Sequence, residues 1–352
     1  MIIIGCDFHP SFQQIAMLDT DTGEIRQLSL GHKEEARTFY AALKGKEVMV
    51  GVEACGYTEW FEQMLTQMGY RFLLGDAAAI RASMTRRQKT DRRDAEQILK
   101  LLAEGRFPQI WVPSPEERDV RQLIVHRHKR VQMRTRVKNQ LQALALNRGL
   151  RLRHRLWTRA GRQQFEELEL LPYAAQRRQD LLVLLDQMQR DIAQLDQAVE
   201  REAQARPVVV RLMTHPGVGP VTALAFVLTL GDVRRFPRGR QVASYLGLIP
   251  CEDSSGGKQR LGHISKQGNP LLRFLLVEAA HLAVRYDQEL KRCYFRILRK
   301  HHPGVAKVAV ARKLALRLYW MLRSNLEYAQ LPSRSCAGQP ESFRGRGLRP
   351  TA

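Results

Sequence analysis

Four carboxylates stand where they could hold metal ions. Asp7 closes an apolar opening run (Ile2, Ile3, Ile4, Gly5, Cys6), Glu53 closes a short apolar stretch at 47–52, and Asp91 and Asp94 stand three apart near the start of a helical pattern. Residues three apart share one face of a helix, and a set of oxygen donors suits a hard divalent ion such as Mg²⁺. Two such ions ~3.5–4 Å apart would clamp the attacking and leaving oxygens of a phosphoryl transfer. Each acid also has an ordinary use: Asp91 and Asp94 as a helix N-cap and first-turn acid, Glu53 as a loop residue. Asp7 tips the balance toward metal, because an apolar strand ending in Gly-Cys-Asp carries its charge to the carboxyl edge of a sheet, where α/β proteins keep their sites.

A second stretch, 251–270, is glycine-rich and basic and carries Ser254, Ser255, Gly256, Gly257, Lys258, Arg260 and Lys266. Its glycines would let the backbone approach a phosphate, and Lys258, Arg260 and Lys266 would hold one. A serine hydroxyl is a poor nucleophile unless activated, so the residues alone fit a flexible backbone-binding loop as well as a catalytic one. No Gly-x-x-x-x-Gly-Lys-Ser/Thr frame is present, so ATP is not implied. Pro216-Gly217-Val218-Gly219-Pro220 reads either as a tight helix connection or as a helix-hairpin-helix turn, whose amides (Gly217, Gly219) would hold a DNA phosphate. Tyr245 is a rival nucleophile set in an apolar helical pattern, which suits the core better. His215 and His263 lack a ligand-spaced partner.

The elements that must position these groups begin with strands at 2–4, 13–18 and 24–30, the last two joined by the turn Asp19-Thr-Asp-Thr-Gly23. Helical spacing at 33–43, a buried strand at 47–52, a helix at 58–68, a strand at 70–74 and a mostly helical stretch at 77–103 follow. That order, βββαβαβα, predicts an α/β domain with a mixed sheet over residues 1–112 and resembles the RNase H-like layout. Pro108, Pro113 and Pro115 mark its end. Residues 113–206 read as a basic helical, coiled-coil region, with Leu181, Leu185, Met188, Ile192, Leu195 and Val199 in heptad-like steps that would pack on the preceding helix or on another subunit. Residues 207–330 read as helices at 214–230, 239–248, 271–286 and 307–325, with Asn269-Pro270 as N-cap and first helical residue. The tail 331–352, rich in Ser, Gly, Pro and Arg, reads as disordered.

Charge says what the chain meets. Across 352 residues, 57 Lys/Arg against 35 Asp/Glu give a formal net charge of +22, which calls for a polyanion and makes global disorder untenable beside 44% hydrophobic content. The excess is uneven: residues 1–110 hold 14 Lys/Arg and 15 Asp/Glu, so the charge lies in the remainder. Residues 118–163 carry fourteen Lys/Arg and one acid, Asp119. Cations of one sign on a helix are not answered at i+4, so Arg127, Lys129, Arg130, Arg134, Arg136 and Lys138 are candidate nucleic-acid contacts. Five scattered cysteines without a Cys-x-x-Cys pair support neither a disulfide framework nor a zinc ribbon. No charged leader region and no apolar run of ~18–20 residues is seen, so the reading is a soluble cytoplasmic protein without a membrane partner.

The motifs resemble those of the IS110-family transposases (recombinases), including the IS1111-like branch. The resemblance rests on Gly5-Cys-Asp7, Val52-Glu53-Ala-Cys-Gly-Tyr57, Lys89-Thr-Asp91-Arg-Arg-Asp94-Ala95, Pro216-Gly-Val-Gly-Pro-Val-Thr-Ala223, Phe236-Pro-Arg-Gly-Arg-Gln-Val-Ala-Ser-Tyr-Leu-Gly-Leu248, Ser255-Gly-Gly257 and Ile264-Ser-Lys-Gln-Gly-Asn269, in order over residues 1–325. It implies a RuvC-like DEDD domain with Asp7, Glu53, Asp91 and Asp94 as Mg²⁺ ligands, a coiled-coil region, and a C-terminal transposase domain whose serine links covalently to DNA. Ser255 is preferred to Ser254 because it directly precedes the glycine pair. The resemblance further implies donor and target DNA and a structured non-coding RNA bridging them. Symmetric cutting of two duplexes would suit an even-numbered assembly, a dimer or tetramer, with the heptad seam as an interface, and the expected location is the bacterial cytoplasm, at the nucleoid. One departure is local: where the family often has a small residue and a lysine after the first aspartate, this chain has Phe8-His9-Pro10. Two rival readings are a RuvC-like nuclease in which water attacks branched DNA, and a non-catalytic nucleic-acid scaffold.

Overall fold

The computed structural model describes residues 1–84 and 90–331; the motif residue Lys89 and the tail from Pro332 lie outside them. The chain divides into two units, Met1–Val112 and Pro113–Ala352. In the first, β1 (Ile2–Phe8), β2 (Phe12–Asp19), β3 (Ile25–Gly31), β4 (Val48–Glu53) and β5 (Arg71–Gly75) form one sheet in the order β3-β2-β1-β4-β5. β1 and β3 run antiparallel to β2, while β1, β4 and β5 are parallel, which is a mixed sheet. The helices are α1 (Glu34–Ala42), α2 (Glu59–Gln67), α3 (Ala77–Ala82) and α4 (Asp91–Ala103). The stretch expected to be mostly helical at 77–103 therefore holds two separate helices.

β1 is central and covered on both faces, which explains its unbroken apolar run. Ile2, Ile4, Cys6 and Phe8 belong to one core with Tyr40, Phe61 and Leu65, and Ile3 to a second with Ala95, Ile98, Leu99 and Leu102 of α4. Each aliphatic side chain buried there stabilises the packing by about 1.5–3 kcal/mol. What lets α4 lie so low is a glycine floor. Gly5 and Gly51 are register partners on β1 and β4. A Cβ on Gly5 would stand 2.3 Å from the Ala95 carbonyl oxygen and the Leu99 nitrogen, and one on Gly51 would stand 2.7 Å from Leu102.

The second unit is mainly helical. α5 (Pro115–Leu146) opens with a capping box between Ser114 and Glu117. α6 (Arg159–Glu166) and the long α7 (Pro172–Gln204) follow. Leu182, Leu185 and Met188 of α7 share a core with Val137, Leu141 and Ala145 of α5, so the heptad-like seam packs on the preceding helix of the same chain. The remaining helices are α8 (Pro207–Met213), α9 (Pro220–Leu230), α10 (Gly239–Tyr245), α11 (Pro270–Tyr286), α12 (Gln288–Leu298) and α13 (Pro303–Ser324), with a hairpin of β6 (Pro250–Glu252) and β7 (Leu261–Ile264) between α10 and α11. The helix expected from residue 214 starts only at Pro220, because Gly217 turns the chain at φ +83° and Pro220 sits at the first helical position. Asn269 caps α11 through the Leu271 and Leu272 amides, as its sequence suggests. α12 was not anticipated; Asp287 starts it by accepting from the Leu290 amide. Among the described residues no helix is long and apolar enough to cross a membrane.

Candidate active site

Asp7 and Asp91 come together at the carboxyl edge of the first unit's sheet, with Glu53 at the end of the adjoining strand and Asp94 one turn along α4. Side chains alternate along a strand, so Asp7 follows Ile3 and Gly5 onto the α4 face of β1. The β1–β4 register pairs Cys6 with Val52, and one step further sets Asp7 level with Glu53 on adjoining strands, ~4.8 Å apart in backbone. α4 runs antiparallel to β1, with Ala95 and Leu99 over Gly5 and its N-terminus over the strand end. Thr90 caps it by accepting from the Arg93 amide, so Asp91 is its first residue rather than its cap. The N-terminal dipole favours both acids of this first turn. Asp94 is only 4% exposed, a burial that a solvent-facing first-turn acid would not show. Behind this edge Phe8 packs on Phe61 at 5.1 Å and under the exposed Tyr57 and Trp60.

One residue that sequence reading passed over joins this edge. His9 Nε2 lies 3.2 Å from Asp7 Oδ2 and 3.4 Å from Asp91 Oδ2. Asp7, His9 and Asp91 each offer a donor atom, all within 4.8 Å of one another. The His9 ring stacks on Phe12 at 4.6 Å, and its amide bonds the Phe12 carbonyl at 3.0 Å, which fixes its place. Nε2 is buried and has no hydrogen-bond partner among the described residues. An orphaned ring nitrogen between two carboxylates fits a divalent ion, and the oxygen-rich surroundings fit it too. Cys6 and Cys55 flank the acids, but burial pushes both thiols up, so neither offers a thiolate. The signal for His9 was its spacing two residues past Asp7, in the sequence Phe8-His9-Pro10.

In the second unit, the stretch expected as a flexible loop at 251–270 is largely a hairpin. Pro250 pairs with Ile264 and Glu252 with Leu261, the Asp253 amide bonds the Arg260 carbonyl, and Ser255 bridges to Lys258. Gly256 and Gly257 stand at φ +57° and +74°. Two successive positive values are what a tight type I′ turn requires, and only glycine takes them without strain. The two serines differ in employment. Ser254 Oγ donates to Glu252 Oε1 at 2.7 Å and accepts from the Arg260 amide at 3.1 Å, bracing the hairpin. Ser255 is exposed beside the turn, and its hydroxyl makes no hydrogen bond among the described residues. Lys258 and Arg260 are exposed near it, whereas Lys266, exposed and in the left-handed region at φ 54°, lies past the base of the hairpin, where its amide bonds the Gly247 carbonyl.

The other expected contacts divide. Arg127 Nε bonds Asp196 at 2.7 Å and Arg130 pairs with Asp191 at 3.7 Å, so acids on α7 answer two of the α5 cations. The Lys138 ammonium sits over the Trp157 ring at 4.6 Å, and burial followed by the neighbouring Arg134 charge lowers its pKa. Lys129 and Arg136 are exposed and Arg134 half-buried, with no acid paired to them among the described residues. A Cβ on Gly217 would meet the α11 backbone at 2.7 Å, so packing alone demands that glycine; Gly219 is exposed ahead of α9. Tyr245, expected in the core, is 38% exposed, with the Arg235 guanidinium over its ring at 4.7 Å.

Comparison with known proteins covers both regions. The Transposase IS116/IS110/IS902 family model matches residues 209–295, which include Ser255. The DEDD IS110 family model, described as a transposase, matches residues 4–148, which include all four acids. A probable family 20 transposase of Pseudomonas aeruginosa is 30% identical over 332 residues, 91% of this chain and 96% of that protein. The transposase for insertion sequence element IS1111A of Coxiella burnetii is 27% identical, covering 92% of this chain and 90% of its own length. The transposase for insertion sequence element IS1328 of Yersinia enterocolitica is 30% identical, over 78% and 83% respectively.

Proposed function

The chain belongs to the IS110 family of transposases, DNA-acting enzymes, and from that premise we propose that it cuts and rejoins DNA strands through a metal site at Asp7, Glu53, Asp91 and Asp94 and a nucleophile at Ser255. The observation that carries the reading is the gathering of acids at one sheet edge, with Asp7 and Asp91 flanking a single orphaned donor. The strand order β3-β2-β1-β4-β5, with only β2 reversed against the rest of the core, supports an RNase H-like assignment for the first unit.

Asp7, Glu53, Asp91 and Asp94 would hold Mg²⁺ or a similar ion, in a one- or two-ion set. Once bound, the ion supplies Lewis acidity that lowers the pKa of the attacking hydroxyl and offsets charge on the phosphoryl oxygens. The Ser255 oxygen then forms a bond to phosphorus as the bridging P–O bond of the strand breaks, and the serine proton goes to the departing oxygen. Attack by a second strand's hydroxyl reverses this and frees the serine. Lys258 and Arg260 hold the phosphate while Ser254 keeps the hairpin in shape. Exposed apolar residues of α7, Val183 and Leu184 among them, are suited to a dimer or tetramer.

Lys129 and Arg136, seven residues apart and so on one side of α5, supply a phosphate-binding face for donor and target DNA or for a bridging RNA, and Arg134 adds a cation on another side. Its substrate places the protein at the nucleoid of the bacterial cytoplasm. The test is strand cutting of guided or branched DNA with added Mg²⁺. Asp7→Asn should abolish cutting and leave DNA binding intact. Unchanged cutting would end the metal reading, full cutting by Ser255→Ala would favour the water-using nuclease, and no cutting on any substrate would leave a scaffold.

A further inference from the structure

We propose that His9 is a direct ligand, through Nε2, of the divalent cation held by Asp7 and Asp91, and that this mixed nitrogen–oxygen donor set makes the site prefer Mn²⁺ or Co²⁺ to Mg²⁺. The inference rests on the metal-site reading above and deepens it.

An octahedral ion with ligands at about 2.1 Å holds neighbouring donors about 3.0 Å apart and opposite donors about 4.2 Å apart. His9 Nε2 stands 3.2 Å from Asp7 Oδ2 and 3.4 Å from Asp91 Oδ2, with the three donors inside 4.8 Å. Shifts of a few tenths of an ångström would close them on one ion. The nitrogen has no other employment: it is buried, and neither carboxylate contact has the alignment of a hydrogen bond. A buried polar atom left unsatisfied is costly, and coordination would remove that cost. The ring is preset by its stack on Phe12 and by the turn that joins His9 N–H to the Phe12 carbonyl.

The metal preference follows from donor chemistry. Mg²⁺ is bound chiefly by oxygen and gives up water reluctantly. Imidazole suits transition ions, whose affinity rises from Mn²⁺ through Co²⁺. Exchanging one oxygen for Nε2 therefore raises affinity for Mn²⁺ and Co²⁺ relative to Mg²⁺. The competing reading is an imidazolium that merely bridges two carboxylates, which an arriving cation would displace.

The experiment is electron spin-echo envelope modulation of Mn²⁺ bound to the full chain, with isothermal titration of Mn²⁺ and Mg²⁺ on wild type and His9→Gln. Wild type should show the coupling of a directly bound imidazole nitrogen, changed by ¹⁵N-histidine labelling and absent in His9→Gln. The variant's circular dichroism should match wild type, its Mn²⁺ affinity should fall about tenfold or more, and its Mg²⁺ affinity should change far less. Bound Mn²⁺ without nitrogen coupling, or coupling that survives in His9→Gln, would overturn the role of His9 and leave the carboxylate site standing. No Mn²⁺ or Mg²⁺ binding by wild type would overturn both.

Discussion

Gly5→Ala should separate the acids without unfolding the protein. The added Cβ would lie 2.3 Å from the Ala95 carbonyl oxygen and the Leu99 nitrogen and 2.9 Å from Leu99 Cα, whereas ordinary contacts begin near 3.4 Å. All three atoms are backbone, so no side-chain rotation relieves the clash, and α4 must lift by about 1 Å. Overpacking of this kind costs about 1–3 kcal/mol, which lowers the melting temperature of a unit this size by roughly 4 °C or more. Asp7 stays on β1 while Asp91 and Asp94 ride outward on α4. A misplacement of about 1 Å can cost about 100-fold in rate, so metal-dependent strand cutting should fall by about that factor while salt-sensitive DNA binding by α5 is kept. Gly51→Ala is the control: the nearest atoms to its Cβ would be those of the Leu102 side chain, at 2.7–3.1 Å, which can give way, so cutting should drop by less than about tenfold. Single-turnover cleavage, Mn²⁺ titration and circular dichroism melts on both variants decide it. A folded Gly5→Ala that cuts at the wild-type rate, or a Gly51→Ala that is equally damaged, would refute the glycine-floor account.

Three further outcomes are expected. Ser254→Ala loses two hairpin hydrogen bonds, each worth about 0.5–1.5 kcal/mol, and should slow cutting by roughly tenfold without abolishing it, whereas Ser255→Ala should leave none; gel assays of both variants separate the roles. His215 is buried, and its burial lowers its pKa from 6.5 to about 4, so the unfolded chain binds the extra proton between those values. Stability is thus fully present above about pH 6.5 and falls as the pH drops toward 4, by about 3 kcal/mol in all; urea titrations should show this slope, and His215→Gln should flatten it. Lys129→Ala and Arg136→Ala should each reduce the slope of log affinity against log salt by about 1, while Arg127→Ala, which breaks an ion pair with Asp196, should change that slope less; fluorescence anisotropy at several salt concentrations measures it.

The mixed sheet and the helical region that follows it were legible because strand, helix and turn signals are local. The positions of the four acids at strand and helix ends were legible for the same reason. What depends on contact between distant residues was not. Gly5 and Gly51 look like any strand glycines until register and α4 bring backbone against backbone. His9 gains meaning only when Asp91, far along the chain, arrives beside it. The cations of α5 looked unanswered because Asp191 and Asp196 lie some 60–70 residues away on α7. The 251–270 hairpin hid because β6 and β7 are three and four residues long, too short for an alternating pattern to show. Tyr245 sits in an apolar string, yet it falls at the end of α10, where Arg235 rather than the core covers it.

The most direct test of the central claim is to trap the protein–DNA intermediate and map the modified residue by mass spectrometry, with and without divalent metal. The account predicts a phosphodiester on Ser255 that forms only with metal and disappears in Asp94→Ala. A phosphodiester on another residue, or one formed in full by Asp94→Ala without metal, would contradict it.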